Sequence, residues 1–319
     1  MPIHDSGYRT WQEKLTPPVL RFMAIAETGV ALAWRNPWVR RMVVFSWLPA
    51  AYLAIGFLLL EQGLAHNREA ELASGFLGQF PQAQTVLQGV AGNDPLEARH
   101  YGWSWLLLSF LRYPQGFVMV LLVGSVAPAL IAKDVQSKAF LLYFSRPLNR
   151  LEYILGKFSV LAGYLVMITT LPALLLYFLA VLLSPPELAV LQSSWDLPFR
   201  ILLASIVLII PTTSLALAFS SMTNRPNHAG FAWFAVWFLG MIAYLMVTNS
   251  VGNVSDEHWS MLSLYHTLGK VQNAIFGLPV VTGGTPNAAD AVPSAILLAA
   301  ITFSSLVVVY HRVSAPMRI

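Results

Sequence analysis

The stretch SVLAGYLVMITTLPALLLYFLAVLL, residues 159–183, runs for 25 positions without one Asp, Glu, Lys, Arg or His. A hydrocarbon core about 30 Å thick is crossed by roughly 20 residues of helix, so this stretch is long enough to span a bilayer. In a membrane every backbone polar group must be bonded within the structure, which leaves helices or closed barrels. Barrel strands are about 10 residues long and alternate apolar with polar. This run does not alternate, as LPALLLYF at 171–178 makes plain. Five more runs have the same character, at 42–60, 116–132, 201–221, 230–248 and 291–310, and they too lack Asp, Glu, Lys, Arg and His. The expected fold is an all-α integral membrane protein with six transmembrane helices.

Composition agrees. Of 319 residues, 56% are hydrophobic and only 11% charged, against about a quarter charged in soluble domains. The charges crowd into the segments between the runs. Of the 19 Lys and Arg, 14 lie before span 1, between spans 2 and 3, between spans 4 and 5, or after span 6. Of the 15 carboxylates, 10 lie on the other side. Positive charge marks the cytoplasmic face, so both termini are expected inside, in the inner membrane. The net charge of +4 is thereby a topology signal and not a nucleic-acid-binding patch. Cysteine is absent, which excludes disulfides, thiolate metal sites and a cysteine nucleophile. The first 20 residues hold Glu13, Pro17 and Pro18 and no apolar signal-peptide core, so span 1 is expected to act as the targeting signal.

Three peripheral regions stand out within the expected division into a cytoplasmic N-terminus (1–41), a membrane domain (42–310) and a tail (311–319). Val19, Met23, Ala26, Val30 and Ala33 share one helical face, with Arg21, Thr28 and Arg35 opposite. This predicts an amphipathic helix on the inner leaflet, anchored by Trp34, Trp38, Arg40 and Arg41. The alternative is a helix packed on another soluble domain. The outer loop 61–115, at 55 residues, is too long for a simple connector. Its aromatic part, with Tyr101, Trp103, Trp105, Phe110 and Tyr113, is expected to form a collar at the membrane–water boundary. Asp256 to Phe276, apolar at helical spacing, is expected as a short helix on the outer surface rather than a seventh span.

In spans 3 and 4, prolines stand beside hydroxyls at Thr169-Thr170-Leu171-Pro172 and Pro211-Thr212-Thr213-Ser214. One reading is two kinked helices with back-bonded hydroxyls. The other is a polar lining for a translocation route, with Thr169, Thr170, Thr212, Thr213 and Ser214 as candidates.

Enzyme motifs are missing. Gly156-Lys157-Phe158-Ser159 lacks the upstream glycine and adjacent hydroxyl of a phosphate-binding loop. There is no His-Glu-x-x-His and no Gly-x-Ser-x-Gly. The seven histidines all fall outside the spans, and none has metal-site spacing to another. No catalytic residue and no metal site is assigned. Proton-coupled transporters keep ionisable groups at membrane depth, so spans free of charge place the energy source of any active transport outside this chain.

The inner loop between spans 2 and 3 is tightly written. From Lys133 it passes Asp134, Leu141 and Phe144 to Ser145-Arg146-Pro147, then Asn149-Arg150-Leu151-Glu152-Tyr153 and Gly156-Lys157. A short helix is expected over 133–144. Pro147 disfavours helix at Arg146, and Asn149 with Glu152 forms a capping box for a new helix that enters span 3. Read from the residues alone, this is either a solvated loop with topology-setting charges or a docking element.

The loop resembles that of the permease subunits of ABC-2 type transporters, through Ser145-Arg146-Pro147, Arg150-Leu151-Glu152-Tyr153 and Gly156-Lys157. Six spans, an amphipathic helix before span 1 and a short outer helix before span 6 also resemble that family. The resemblance implies an exporting permease that pairs with a second permease copy and with separate cytoplasmic ABC ATPase subunits. ATP and magnesium would be bound by those partners and no cofactor by this chain. Asp134, Leu141, Phe144, Ser145, Arg146, Pro147, Arg150 and Glu152 would couple it to the ATPase. The enlarged outer loop keeps an alternative open: a membrane subunit that anchors, or transmits work to, an extracytoplasmic accessory protein without moving a solute.

Overall fold

A computed structural model of the chain describes residues 20–65, 95–139, 148–183, 189–251, 259–278 and 288–314, and all its regular structure among these residues is helical. The elements are α1 (Arg21–Trp34), α2 (Pro37–Ser46), α3 (Leu48–Ala65), α4 (Pro95–Gln136), α5 (Arg150–Leu165), a π-turn (Val166–Thr170), α6 (Leu171–Leu183), α7 (Ala189–Ser194), α8 (Leu197–Met222), α9 (Pro226–Val251), α10 (Leu264–Phe276) and α11 (Val292–Ser314). Short 3₁₀ turns precede α10 and α11.

Prolines set most of the breaks. Pro37 has no N–H to continue α1 and opens α2 at its first position, where the Asn36 side chain accepts from the Trp38 N–H at 3.0 Å. Pro49 falls in the first turn of α3, just past a break at Trp47. Pro172 cannot donate to the carbonyl four residues back, and the wider π-turn at Val166–Thr170 lies just there.

Among the described residues, five stretches are long and apolar enough to cross a membrane: His100–Gln136, Arg150–Leu182, Leu191–Met222, Pro226–Ser250 and Ala289–Ser314. They coincide with the expected spans 2 to 6, span 3 falling short of its expected end by Leu183 alone. The expected first span, 42–60, is divided between α2 and α3 by the break at Trp47, so six uninterrupted crossings are not what the described residues present.

α8 is the hub, packing on α4, α5, α9, α10 and α11. The most apolar windows of α4 and α8 are 76% and 67% buried, against 11% for α9 and 22% for α11; the first two form the centre and the others its periphery. Lipid is as apolar as leucine, so specific contacts between spans depend on close packing and polar bonds. Ser220 of α8 accepts from the N–H groups of Ile131 and Ala132 at 3.1 Å and donates to the Pro128 carbonyl. The Trp233 indole of α9 donates to the Val120 carbonyl at 2.9 Å. Both bonds tie neighbours to α4.

Four expectations change. The aromatic segment from Tyr101 does not make a boundary collar: it is the first part of the 42-residue α4, and Trp103, Leu107 and Phe110 are fully buried against α6 and α8 residues such as Tyr177 and Ile201. Nor is the segment ending at Phe276 a surface helix. α10 is inserted among α4, α8, α9 and α11, with Leu264, Leu268, Lys270, Gln272 and Asn273 all buried. The helix expected over 133–144 ends early: Lys133–Gln136 is the last turn of α4, closed by Lys138 at φ 55° and an Ala139 N–H bond to the Asp134 carbonyl at 2.9 Å. Residues 140–144 lie outside the described ones. Finally, the expected apolar face of α1 is met only in part: Val30 and Ala33 pack on the core and Ile25 and Gly29 join them, whereas Met23 is 53% exposed. The neighbour of α1 is α5 of the same chain. A Cβ on Gly156 would stand 2.7 Å from Ile25, so the two helices approach more closely than any side chain there permits. Tyr164 donates to the Val30 carbonyl at 2.9 Å and stacks on Trp34.

Candidate coupling loop and polar core

The two stems of the 133–157 loop are fastened to each other. Asp134, two residues from the end of α4, meets Lys157 of α5 at 2.7 Å, and the Tyr153 hydroxyl donates to the same Asp134 oxygen at 2.7 Å. Tyr153 and Lys157 are one turn apart on α5, and the ammonium stands 5.4 Å from the Tyr153 ring centre. Tyr153 is fully buried and the charged pair nearly so. Removing one partner from such a pair leaves an uncompensated charge, at a cost of about 3–5 kcal/mol.

At the start of α5 the expected capping box is present: the Glu152 carboxylate accepts from the Asn149 N–H at 3.0 Å. Arg150 is the first residue of the helix and is partly exposed. Leu148 packs on the core. Asp134, Arg150 and Glu152 are therefore located at the stems, while Leu141, Phe144, Ser145, Arg146 and Pro147 lie outside the described residues.

The hydroxyl candidates are all buried. Thr169 donates to the Leu165 carbonyl at 2.7 Å, Thr212 to Leu208 and Ser214 to Ile210 at 2.8 Å. These are the back-bonds that hydroxyls make beside a proline-disturbed helix. Thr170 lies 3.5 Å from Thr169. Thr213 differs, its hydroxyl being buried without a hydrogen-bond partner.

A polar layer around α10 was not foreseen. The Arg112 guanidinium lies flat on Gly269, where any Cβ would collide with it, and 5.1 Å from the Tyr265 ring centre. His266 stacks on Tyr244 of α9 at 3.7 Å. Nearby, Arg200 binds Asp196 at 2.6 Å and donates to the Ile275 carbonyl at 3.1 Å, while His100 meets Asp196 at 3.1 Å. The N-termini of α4 and α8 are thus tied to the end of α10. The sequence signals were Lys270, Gln272 and Asn273, whose polarity reads as exposure until the partner helices are known. Among the described residues, no three His, Asp or Glu come together in a metal-binding group.

A family model described as ABC-2 family transporter protein matches residues 23–313. The chain belongs to the ABC-2 transporter family. It is a multi-pass membrane protein and a permease of the ABC-transporter type, the membrane component and not the ATPase. The match begins within α1 and ends within α11, so it takes in every span and the clamped loop. No curated protein matches the chain.

Proposed function

We propose that this ABC-2 permease works as an exporter subunit driven by separate ATPase subunits that dock on the 133–157 loop. In this reading α2 and α3 together make the first of six crossings, and both termini are cytoplasmic, in the inner membrane. Two permease copies assemble with two ATPases.

The observation that supports docking at this loop is the Asp134–Tyr153–Lys157 clamp. A loop that only set topology would need positive charge but no fixed stems. A loop that transmits force must pass displacement into the bundle, and the clamp fastens its two stems, α4 and α5, to each other. α5 in turn contacts α1, α4, α8 and α11. ATP binding would close the ATPase pair and press on this lever, biasing a two-state rocking of the spans. Thr169, Thr170, Thr212, Thr213 and Ser214, on adjoining helices, are proposed to border the solute route.

The test is reconstitution. The purified chain alone is expected to hydrolyse no ATP above background, since it lacks a phosphate-binding loop. The same chain co-expressed with its ATPase should yield a complex whose turnover depends on the permease. Intrinsic turnover by the lone chain, or ATPase activity indifferent to it, would contradict the proposal.

A further inference from the structure

Pro128 sits inside α4, about two turns before its end at Gln136. A proline there has no N–H, so the Gly124 carbonyl loses the helix bond it would otherwise accept, and such turns are where helices bend. α9 packs flush against this weak turn. A Cβ on Gly230 would stand 3.4 Å from the Pro128 ring and 3.6 Å from the Gly124 carbonyl, and a Cβ on Gly124 would collide with the Phe234 ring.

The two arms of α4 on either side of this turn are fastened to different helices. Before it, the Val120 carbonyl accepts from Trp233 of α9 at 2.9 Å. After it, the Ser220 hydroxyl of α8 accepts from the Ile131 and Ala132 N–H groups at 3.1 Å and donates to the Pro128 carbonyl at 3.2 Å. A serine hydroxyl has one proton and two lone pairs, so Ser220, which is fully buried, commits all three to one turn of α4. Its neighbours on α8 behave otherwise: Ser221 and Ser214 donate to the Ala218 and Ile210 carbonyls of their own helix. Two residues past Ala132, Asp134 is clamped to Lys157 and Tyr153. The inner arm of α4 is thus bonded to α8 and α5, and the outer arm to α9.

We infer that α4 is jointed at Gly124–Pro128, and that Ser220 is the positioning residue that makes α8 follow the inner arm when the loop moves. What moves the arm rests on the docking of an ATPase at the loop; the joint and its tie to α8 do not. Because α8 packs on α4, α5, α9, α10 and α11, a displacement passed to it reaches the rest of the bundle. Without the tie, the weak turn bends and absorbs that displacement.

Hydrogen exchange of the full chain in lipid nanodiscs, followed by mass spectrometry over the end of α4, tests the joint and the tie. Ser220→Ala removes three bonds and should speed exchange around Ile131 and Ala132 at least about fivefold. Ser221→Ala deletes the neighbouring hydroxyl, whose bond lies within α8, and should leave α4 as in wild type. Pro128→Ala restores the missing helix donor, and added to Ser220→Ala it should recover at least half of the lost protection. Wild-type exchange in Ser220→Ala, or equal acceleration by Ser221→Ala, would overturn the tie. A double variant that exchanges as fast as Ser220→Ala would overturn the joint. In the transporter assembled with its ATPase, Ser220→Ala should keep the ATPase bound and lose most of the permease-dependent ATP turnover, which Ser221→Ala should retain. Turnover at the wild-type rate in Ser220→Ala, despite faster exchange, would refute transmission through α8. An ATPase that fails to bind wild type would refute docking and transmission together, while the exchange of the lone chain would still decide the joint.

Discussion

Lys157 shows how one residue gains its meaning from a partner 23 positions away in sequence. It lies two residues before an uncharged span, bound to Asp134 and over the Tyr153 ring. Lys157→Met is expected to destabilise the protein by about 3 kcal/mol, because Asp134 is left without its counter-charge. The double change Asp134→Asn with Lys157→Met should recover more than half of that loss, measured by thermal unfolding in detergent. A double variant no more stable than the single one would show that the pair does not hold the stems. Thr213 permits a second test at this scale. Its hydroxyl has no bond to lose, so Thr213→Val should change stability by less than about 1 kcal/mol. If it borders the solute route, the same variant alters ATP turnover of the assembled transporter. Unchanged turnover would remove Thr213 from the route.

At the scale of elements, α1 depends on a close approach that two glycines permit. Gly29 meets Val160 and Gly156 meets Ile25. Gly156→Leu should therefore push α1 away from α5 and raise tryptic cleavage after Arg35. Gly163→Leu is the control, since a Cβ there meets open space; it should leave the cleavage pattern as in wild type. Cleavage unchanged in Gly156→Leu would mean that α1 is held by something else.

The same scale shows what was legible in the sequence. The long runs around 159–183, 201–221, 230–248 and 291–310 were read directly, because about 20 apolar residues without charge have one structural use. The capping box at Asn149 and Glu152 was legible because its two bonds are local. The burial of Trp103 and Phe110 was not. An aromatic run reads alike at a membrane boundary and in a packed helix, and only α6 and α8 lying beside it decide the matter. α10 misled for the converse reason, since Lys270, Gln272 and Asn273 are polar but enclosed. Of the candidate site, Asp134 stands out by its position in the loop, whereas Lys157 is legible only as part of the Gly156-Lys157 motif. Their pairing is a long-range contact, and no local pattern records it.

At the scale of the whole molecule, coupling at the 133–157 loop requires that loop to face the cytoplasm. A reporter fused after Ile319 should read cytoplasmic and one inserted near Asn93 external, following the distribution of Lys and Arg. A cytoplasmic reading at Asn93 would invert the assignment and place the 133–157 loop out of reach of any ATPase.

The most direct test reverses charge at the loop itself. If the segment seats on an ATPase, Arg146 and Arg150 meet acidic or carbonyl groups there, and Arg146→Glu with Arg150→Glu sets like charges against them. Losing one side of a buried interfacial charge pair costs about 2–5 kcal/mol, enough to weaken association at least about tenfold. The measurement is co-purification of the ATPase with wild-type and doubly substituted permease, alongside the membrane level of each. Docking at this loop predicts equal insertion with the ATPase lost. Equal insertion with the ATPase still bound and turning over at the wild-type rate would contradict it.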